Sequence, residues 1–490
     1  MRTAKQITAL VSAVCITIYV QAQGSLTPPG APAPTMKTLE QIEPRTPISD
    51  DLVLYTVKTS GSYYLTANRG PIAIEAPDVT LDLNGFEISP ISGSSAFGVI
   101  IYPGMDRATV LNGTIVGFGD GIRGLATGCL FKNLAVSDCS AYGIFAGDVS
   151  RVLNCRVQNN TGGGIVAGTG SSLRGCMARH NSGNSGISAG KGSSISDCTA
   201  SFNTATNAIY AGQGSTIKNC VAYNNLASGS DSFGIYASSN CVIVDCTSIE
   251  NIGAGSGSYG IFGGAGSSII GCLSGVNQSS GIFAGNGSTV SGCSASDNNG
   301  DYGIHGGDGS TIVGCLARFN SGSGISSYGI RAGRGSSVIE CTASSNNTTN
   351  SPPTPSQGGG IYVLPESTVK NCTVGENRGD GIRVEGYTRV KGNLCVGSSG
   401  NRSAGIHSTS TDNRIESNTA ILNSTNIAVD DGYNLIIRNS VYEGYGDTNY
   451  VISVNNKVGG IVIPPDSPAI SGNSGGAGVG STDPWANFGY

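Results

Sequence analysis

One unit recurs through most of the chain and restricts its fold more than any other feature: Gly-Ile-x-Ala-Gly-x-Gly-Ser-x-Ile-x-Gly/Asn/Asp-Cys-x-Ala-x-x-Asn. Its isoleucine stands at Ile144, Ile165, Ile187, Ile209, Ile235, Ile261, Ile282, Ile304, Ile330, Ile361, Ile382, Ile406 and Ile427, thirteen copies with no member missing. Steps of 21 to 26 residues, with one of 31, suit three short strands and three turns per coil, each coil resting on the last. The fold predicted is all-β: a single-stranded, right-handed parallel β-helix of about thirteen to fifteen coils.

Strand parity assigns the faces. Ile144 and Ala146 share a face, and their equivalents are small or apolar, so this face points inward and the residue between them outward. Three residues separate the second apolar position (Val152, Leu173, Ile195) from the cysteine, so a corner must intervene. Just before the cysteine stand Asn154, Gly175, Asp197, Asn219, Asp245 or Gly271, types that tolerate the positive φ of a tight corner. Five residues after the cysteine comes an asparagine, from Asn160 to Asn377. Amides stacked at about 4.8 Å can bond along the axis, a structural role.

Ten cysteines from Cys155 to Cys372 fall one per coil on an inner face, with Asn393, Asn418 and Asn439 continuing the register. In-register neighbours about 4.8 Å apart are too far for the ~3.8 Å Cβ spacing of a disulfide, and a linear stack cannot surround a tetrahedral zinc. They read as small core hydrophobes. Cys129, Cys139, Cys241 and Cys395 fall off this ladder, leaving one oxidised pair among them open.

Residues 1–22 read as an export signal: Arg2 and Lys5, an apolar run from Ile7 to Val20, then Val20-Gln21-Ala22 before the cleavage point. The expected location is therefore secreted, extracellular or periplasmic. Residues 23–49 are a Pro-rich linker, 50–465 the β-helix, and 466–490 a Gly-rich C-terminal cap or tail in which the single tryptophan, Trp485, is expected to plug the last coil. After signal removal 25 basic face 32 acidic side chains, which argues against nucleic acid. No later stretch approaches the roughly 20 apolar residues of a membrane helix. A monomer is expected.

Gly61-Ser62-Tyr63-Tyr64-Leu65-Thr66, the segment Val79 to Phe86 and the coils beyond resemble the right-handed parallel β-helix repeat proteins of the pectate-lyase-like superfamily, over roughly residues 50 to 465. The resemblance implies the fold and leaves the activity open, since that superfamily spans lyases, hydrolases, epimerases and non-catalytic adhesins. Its activity signatures do not carry over. Gly303-Ile304-His305-Gly306 is only faintly similar to the polygalacturonase Gly-His-Gly, and the Asp-Pro-His-Asp of mannuronan epimerases and the Arg-x-Pro-x-x-Arg of pectate lyases are absent. Copper-handling β-helix proteins have a similar coil pattern, yet four Met and three His offer few ligands. No metal or other cofactor is expected, with calcium left open.

The outward residues after the isoleucines form a stripe: Phe145, Val166, Ser188, Tyr210, Tyr236, Phe262, Phe283, His305, Arg331, Tyr362, Arg383, His407 and Ala428. Aromatic faces stack on sugar rings, so Tyr210, Tyr236, Phe262 and Phe283 read as a linear platform for a polysaccharide. Insertions at 226–233, 252–259, 321–328 and 347–359 wall one side of it. Charge gathers in two patches, one with Asp301, His305, Asp308, Arg331 and Arg334, the other from Glu376 to Lys391 with Asp380, Arg383 and Glu385; solvated salt bridges are the bland reading of both.

If this face is catalytic, the first reading is a polysaccharide lyase. Arg331 or Arg383 neutralises a uronate carboxylate, and Tyr362, His305 or His407 takes the proton α to it. The second is a glycoside hydrolase using Asp380 with Glu385, or Asp301 with Asp308. Asp308, Arg334 and Glu385 join the substrate-binding set. The alternative is a non-catalytic surface or adhesive solenoid whose aromatics are exposed β-formers.

Overall fold

The structure is a computed structural model and describes residues 44–49, 54–90, 96–226, 232–253, 257–322, 327–348, 358–398, 403–442, 448–462 and 483–489. The expected export signal and most of the linker lie outside these residues, as does most of the glycine-rich tail. From Thr46 onward the chain is an all-β parallel solenoid, the architecture that the repeat and the resemblance both implied.

One coil shows why. Tyr142–Ala146 forms a five-residue strand, a turn leads to Arg151–Leu153, Asn154 turns the corner, and Arg156–Gln158 follows before the chain re-enters the long-strand face at Gly163–Ala167. Each strand pairs in parallel with its equivalent one coil on, as in Ile144↔Ile165 and Val152↔Leu173. Among the described residues the long-strand face holds eighteen such strands, from Tyr55–Val57 to Thr448–Ile452, more than the thirteen to fifteen coils expected. The stack thus runs beyond the thirteen strict repeats, because coils at either end keep the inward apolar positions and lose the glycine punctuation.

All thirteen repeat isoleucines are fully buried, as is the facing column from Val152 to Ile436. The corner residue before each cysteine has φ between 51° and 68° from Asn154 to Arg438, so the left-handed corner extends to Glu340, Ser417 and Arg438 as well as to the permissive residues. The asparagine ladder forms as read: Asn160 Nδ2 donates to Asn181 Oδ1 at 2.8 Å, and the relay continues through Asn203, Asn225, Asn251, Asn277, Asn298, Asn320 and Asn346 to Asn377 at 2.9–3.1 Å. A second amide ladder takes over the cysteine register from Asn393 through Asn418 and Asn439 to Asn487. These side chains satisfy corner backbone groups that water cannot reach.

All fourteen described cysteines are buried and free, the four off-ladder ones included. Cys241 sits at a serine corner, where its backbone N–H donates to Ser267 Oγ at 3.2 Å, and Cys139 heads the asparagine ladder, where its N–H donates to Asn160 Oδ1 at 3.0 Å. Cys139 and Cys241 lie at different corners, and Cys129, at the same corner as Cys241, is five coils before it. Burial pushes the Cys129 thiol up to about 11.

Two boundaries differ from the sequence reading. Thr46–Ile48, inside the segment read as linker, already pairs with Tyr63–Leu65, because Ile48 supplies an inward apolar side chain. At the other end Trp485 does not plug the coil: it is 46 % exposed with the Arg438 guanidinium 4.3 Å from its ring centre. Ala486 and Asn487 are buried instead, and Asn487–Gly489 adds a strand beside Ser440–Val441 and Ile461–Val462.

Candidate functional site

The stripe exists as one continuous row. Strand register places Phe145, Val166, Ser188, Tyr210, Tyr236, Phe262, Phe283, His305, Arg331, Tyr362, Arg383, His407 and Ala428 in successive coils. Its aromatics, however, are turned against one another. Tyr210 and Tyr236 are parallel within 7° at 5.3 Å, Tyr236 and Phe262 within 2° at 4.8 Å, and Phe262 and Phe283 within 15° at 4.8 Å. No sugar ring fits between rings this close, so the interior faces are occupied and the row offers ring edges and the two tyrosine hydroxyls.

A second outer column lies beside it that parity did not predict. Strict alternation puts the residue two before each isoleucine inside. The strand ladder instead skips the intervening glycine, pairing Tyr302 with Tyr328 and then Ile304 with Ile330. A Cβ on Gly303 would meet Asn320 Nδ2 at 2.5 Å and the Gly329 carbonyl at 2.6 Å, so the backbone bends inward here and only glycine fits. The bend brings Phe233, Tyr259, Tyr302 and Tyr328 against the stripe: Tyr302 packs on His305 at 4.6 Å and Tyr328 on Tyr362 at 4.9 Å. The repeated aromatic two before the isoleucine was the available signal.

These columns build a compact centre. Arg331 Nη1 donates to His305 Nε2 at 2.6 Å; because a guanidinium has no lone pair to offer, the imidazole accepts there and its Nδ1 donates to Tyr259 Oη at 3.3 Å. Burial and then the Arg331 charge push the His305 pKa down to about 3, so the ring is neutral at ordinary pH. Arg331 also lies 5.5 Å from the Tyr302 ring centre. Tyr362 stands between two guanidiniums, Arg331 at 5.9 Å and Arg383 at 5.8 Å from its ring centre, and its hydroxyl donates to Glu385. Burial and the Glu385 carboxylate raise the Tyr362 pKa to about 12.

Asp380 and His407 come together one coil away. His407 is 8 % exposed and places Nδ1 2.6 Å from Asp380 Oδ2 and Nε2 2.8 Å from Asp430 Oδ2. Burial disfavours its charge, but the hydrogen bonds and charges of Asp380 and Asp430 outweigh it and its pKa is raised. Asp380 is fully buried, also accepts the Ala404 N–H at 2.9 Å and lies 3.8 Å from Arg383 Nη1. Asp308 and Arg334 lie apart from this centre on the turns that follow the long strands. Asp308 Oδ1 accepts the Arg334 N–H at 2.8 Å, and the exposed Arg334 side chain pairs with Glu366. Among the described residues no group of three or more His, Cys, Asp or Glu side chains is arranged to hold a metal ion, and no helix is long and apolar enough to cross a membrane.

No family model matches the chain, and no curated protein matches it. Solved structures do. The Dettilon tailspike protein gp208 aligns at 13 % identity and a TM-score of 0.35, over 67 % of this chain and 61 % of the tailspike chain, so this chain spans about three fifths of that protein. The A-module of Azotobacter vinelandii mannuronan C-5 epimerase AlgE4 aligns at 13 % identity and a TM-score of 0.27, over 80 % of this chain and 91 % of the module. PfbA, a surface adhesin of Streptococcus pneumoniae, aligns at 9 % identity and a TM-score of 0.20, over 79 % and 82 % of the two chains.

Proposed function

We propose that this protein is exported, acts as a monomer, binds an acidic polysaccharide along the long-strand face and cleaves it by β-elimination at Tyr362. The observation that carries the reading is the placement of Tyr362 between Arg331 and Arg383, with its hydroxyl on Glu385. Two permanent cations, one on each coil flanking that of Tyr362, suit the carboxylate of a uronate, and their charge stabilises the enolate-like anion that forms when the α-proton leaves. Tyr362 Oη takes that proton as its own passes to Glu385. The electron pair released forms the C4–C5 double bond, the C4–O bond breaks, and the leaving oxygen is reprotonated through the same hydroxyl.

His305 serves in this reading as a neutral hydrogen-bond bridge that positions Arg331, both of its nitrogens being engaged. Asp380 and His407 hold Arg383 and the next coil in place. Tyr210 and Tyr236 offer hydroxyls to the glycan, and Phe262 and Phe283 continue the packed row without contributing to binding. The test is incubation with a panel of uronate polymers while following the absorbance of unsaturated chain ends. Activity that Arg383→Ala abolishes is expected; no signal on any uronate polymer removes the lyase reading.

The occupied ring faces of the aromatic row favour a second reading, a non-catalytic adhesive solenoid. No unsaturated ends together with no glycan binding selects it.

A further inference from the structure

A cavity of about 420 Å³ opens near the C-terminal end of the solenoid, on the first short-strand face, away from the stripe. Its floor is Leu435 and Ile437, apolar side chains at outward positions of the strand Leu435–Ile437. Register places Arg414 one coil before Leu435 and Lys457 one coil after, so a cation flanks the floor on each side at about the 4.8 Å strand spacing. Trp485, half-exposed, forms a further wall. Asp483 also lines the cavity; its Oδ1 accepts the Trp485 N–H at 2.9 Å and so fixes the tryptophan rim.

Of these two cations, Arg414 is held in advance. Glu416 is buried, and Arg414 approaches its Oε2 through Nε at 2.7 Å and Nη2 at 2.5 Å. Arg389 Nε meets Oε1 at 3.0 Å and Lys391 Nζ lies 3.4 Å from the same oxygen. One carboxylate thus gathers three cations, leaving a net positive surface beside the cavity on a chain whose overall formal charge is −5. Arginines fixed in this way lose little further entropy when an anion arrives.

We infer that this cavity is a second glycan-binding site, separate from the stripe, for a sugar unit carrying a carboxylate or sulfate. The C–H face of the ring lies on Leu435, Ile437 and Trp485 while Arg414 and Lys457 take the anionic group. Nothing in this inference depends on the stripe being catalytic. A second site on another face of the solenoid lets one polymer, or two, engage at once and raises avidity without new contacts at the first.

The chain contains one tryptophan, so its emission reports this cavity alone. The full chain is titrated with an oligouronate, a sulfated oligosaccharide and a neutral oligosaccharide of equal length, in the native form and as Lys457→Glu, a charge reversal at an exposed position. A saturable emission change with at least one anionic ligand, at least tenfold weaker in Lys457→Glu and weaker as salt rises, is expected, and the ligand that responds assigns carboxylate or sulfate. No change with either anionic ligand, an equal response to the neutral one, or affinity unaltered in Lys457→Glu overturns the inference. Arg383→Ala leaves the emission titration unchanged, which keeps this outcome distinct from the fate of the lyase reading.

Discussion

His407 Nδ1 lies 2.6 Å from Asp380 Oδ2, a contact between consecutive coils in which the carboxylate is fully buried and the imidazole nearly so. With Asp430 on the other nitrogen, both ring nitrogens face carboxylates and must donate, which fixes the ring as an imidazolium clamp rather than a free base.

That clamp makes stability depend on pH. The folded pKa of His407 is raised above its unfolded value near 6.5, so its contribution is fully present below about pH 6.5 and is lost as pH rises through the higher folded value. The thermal midpoint should fall over that alkaline-going window in the native chain, and His407→Gln should remove that part of the pH dependence. A native profile indistinguishable from the variant's would contradict the clamp.

Asn320 tests the amide ladder. Its side chain accepts from Asn298 Nδ2 at 3.0 Å and from the Asn298 N–H at 3.2 Å, and donates to Asn346 Oδ1 and the Ala295 carbonyl at 3.0 Å each. Asn320→Ala strands these buried groups, and the loss should be about 3 kcal/mol, read from the urea midpoint. An equivalent change at exposed Asn286 should cost less than about 1 kcal/mol.

Phe262 separates a sugar platform from a packing ladder. It touches Tyr236 and Phe283 face to face and Phe233 at 5.0 Å, so Phe262→Ala should destabilise the chain by about 2 kcal/mol. Affinity for an acidic oligosaccharide, measured by calorimetry, should not fall. A tenfold loss of affinity with stability unchanged would restore the platform reading.

Tyr362→Phe and Glu385→Gln should each lower the rate of unsaturated-end formation by about 10²–10⁴-fold with KM little changed, as removal of a proton-transfer group does. Arg334→Ala, at an exposed turn position paired with Glu366, should leave the rate within a factor of about two, since surface ion pairs contribute little.

The sequence alone determined the solenoid, the buried isoleucine column, the left-handed corners, the amide ladder and the order of residues along the stripe. Each follows from period and register: in a parallel stack, residues at equivalent repeat positions become neighbours whatever the details of the coil. Tertiary structure decided the rest. Only the inward bend at the repeat glycine, seen at Gly303, moves Tyr259, Tyr302 and Tyr328 to the outer side, and only the stacking angle shows that Tyr236 and Phe262 hide each other's faces. Trp485 at the rim of a charged cavity and Asp430 on His407 likewise depend on where irregular turns and the returning tail place side chains. The last two contacts join positions that are not equivalent in the repeat, so periodicity carries no information about them.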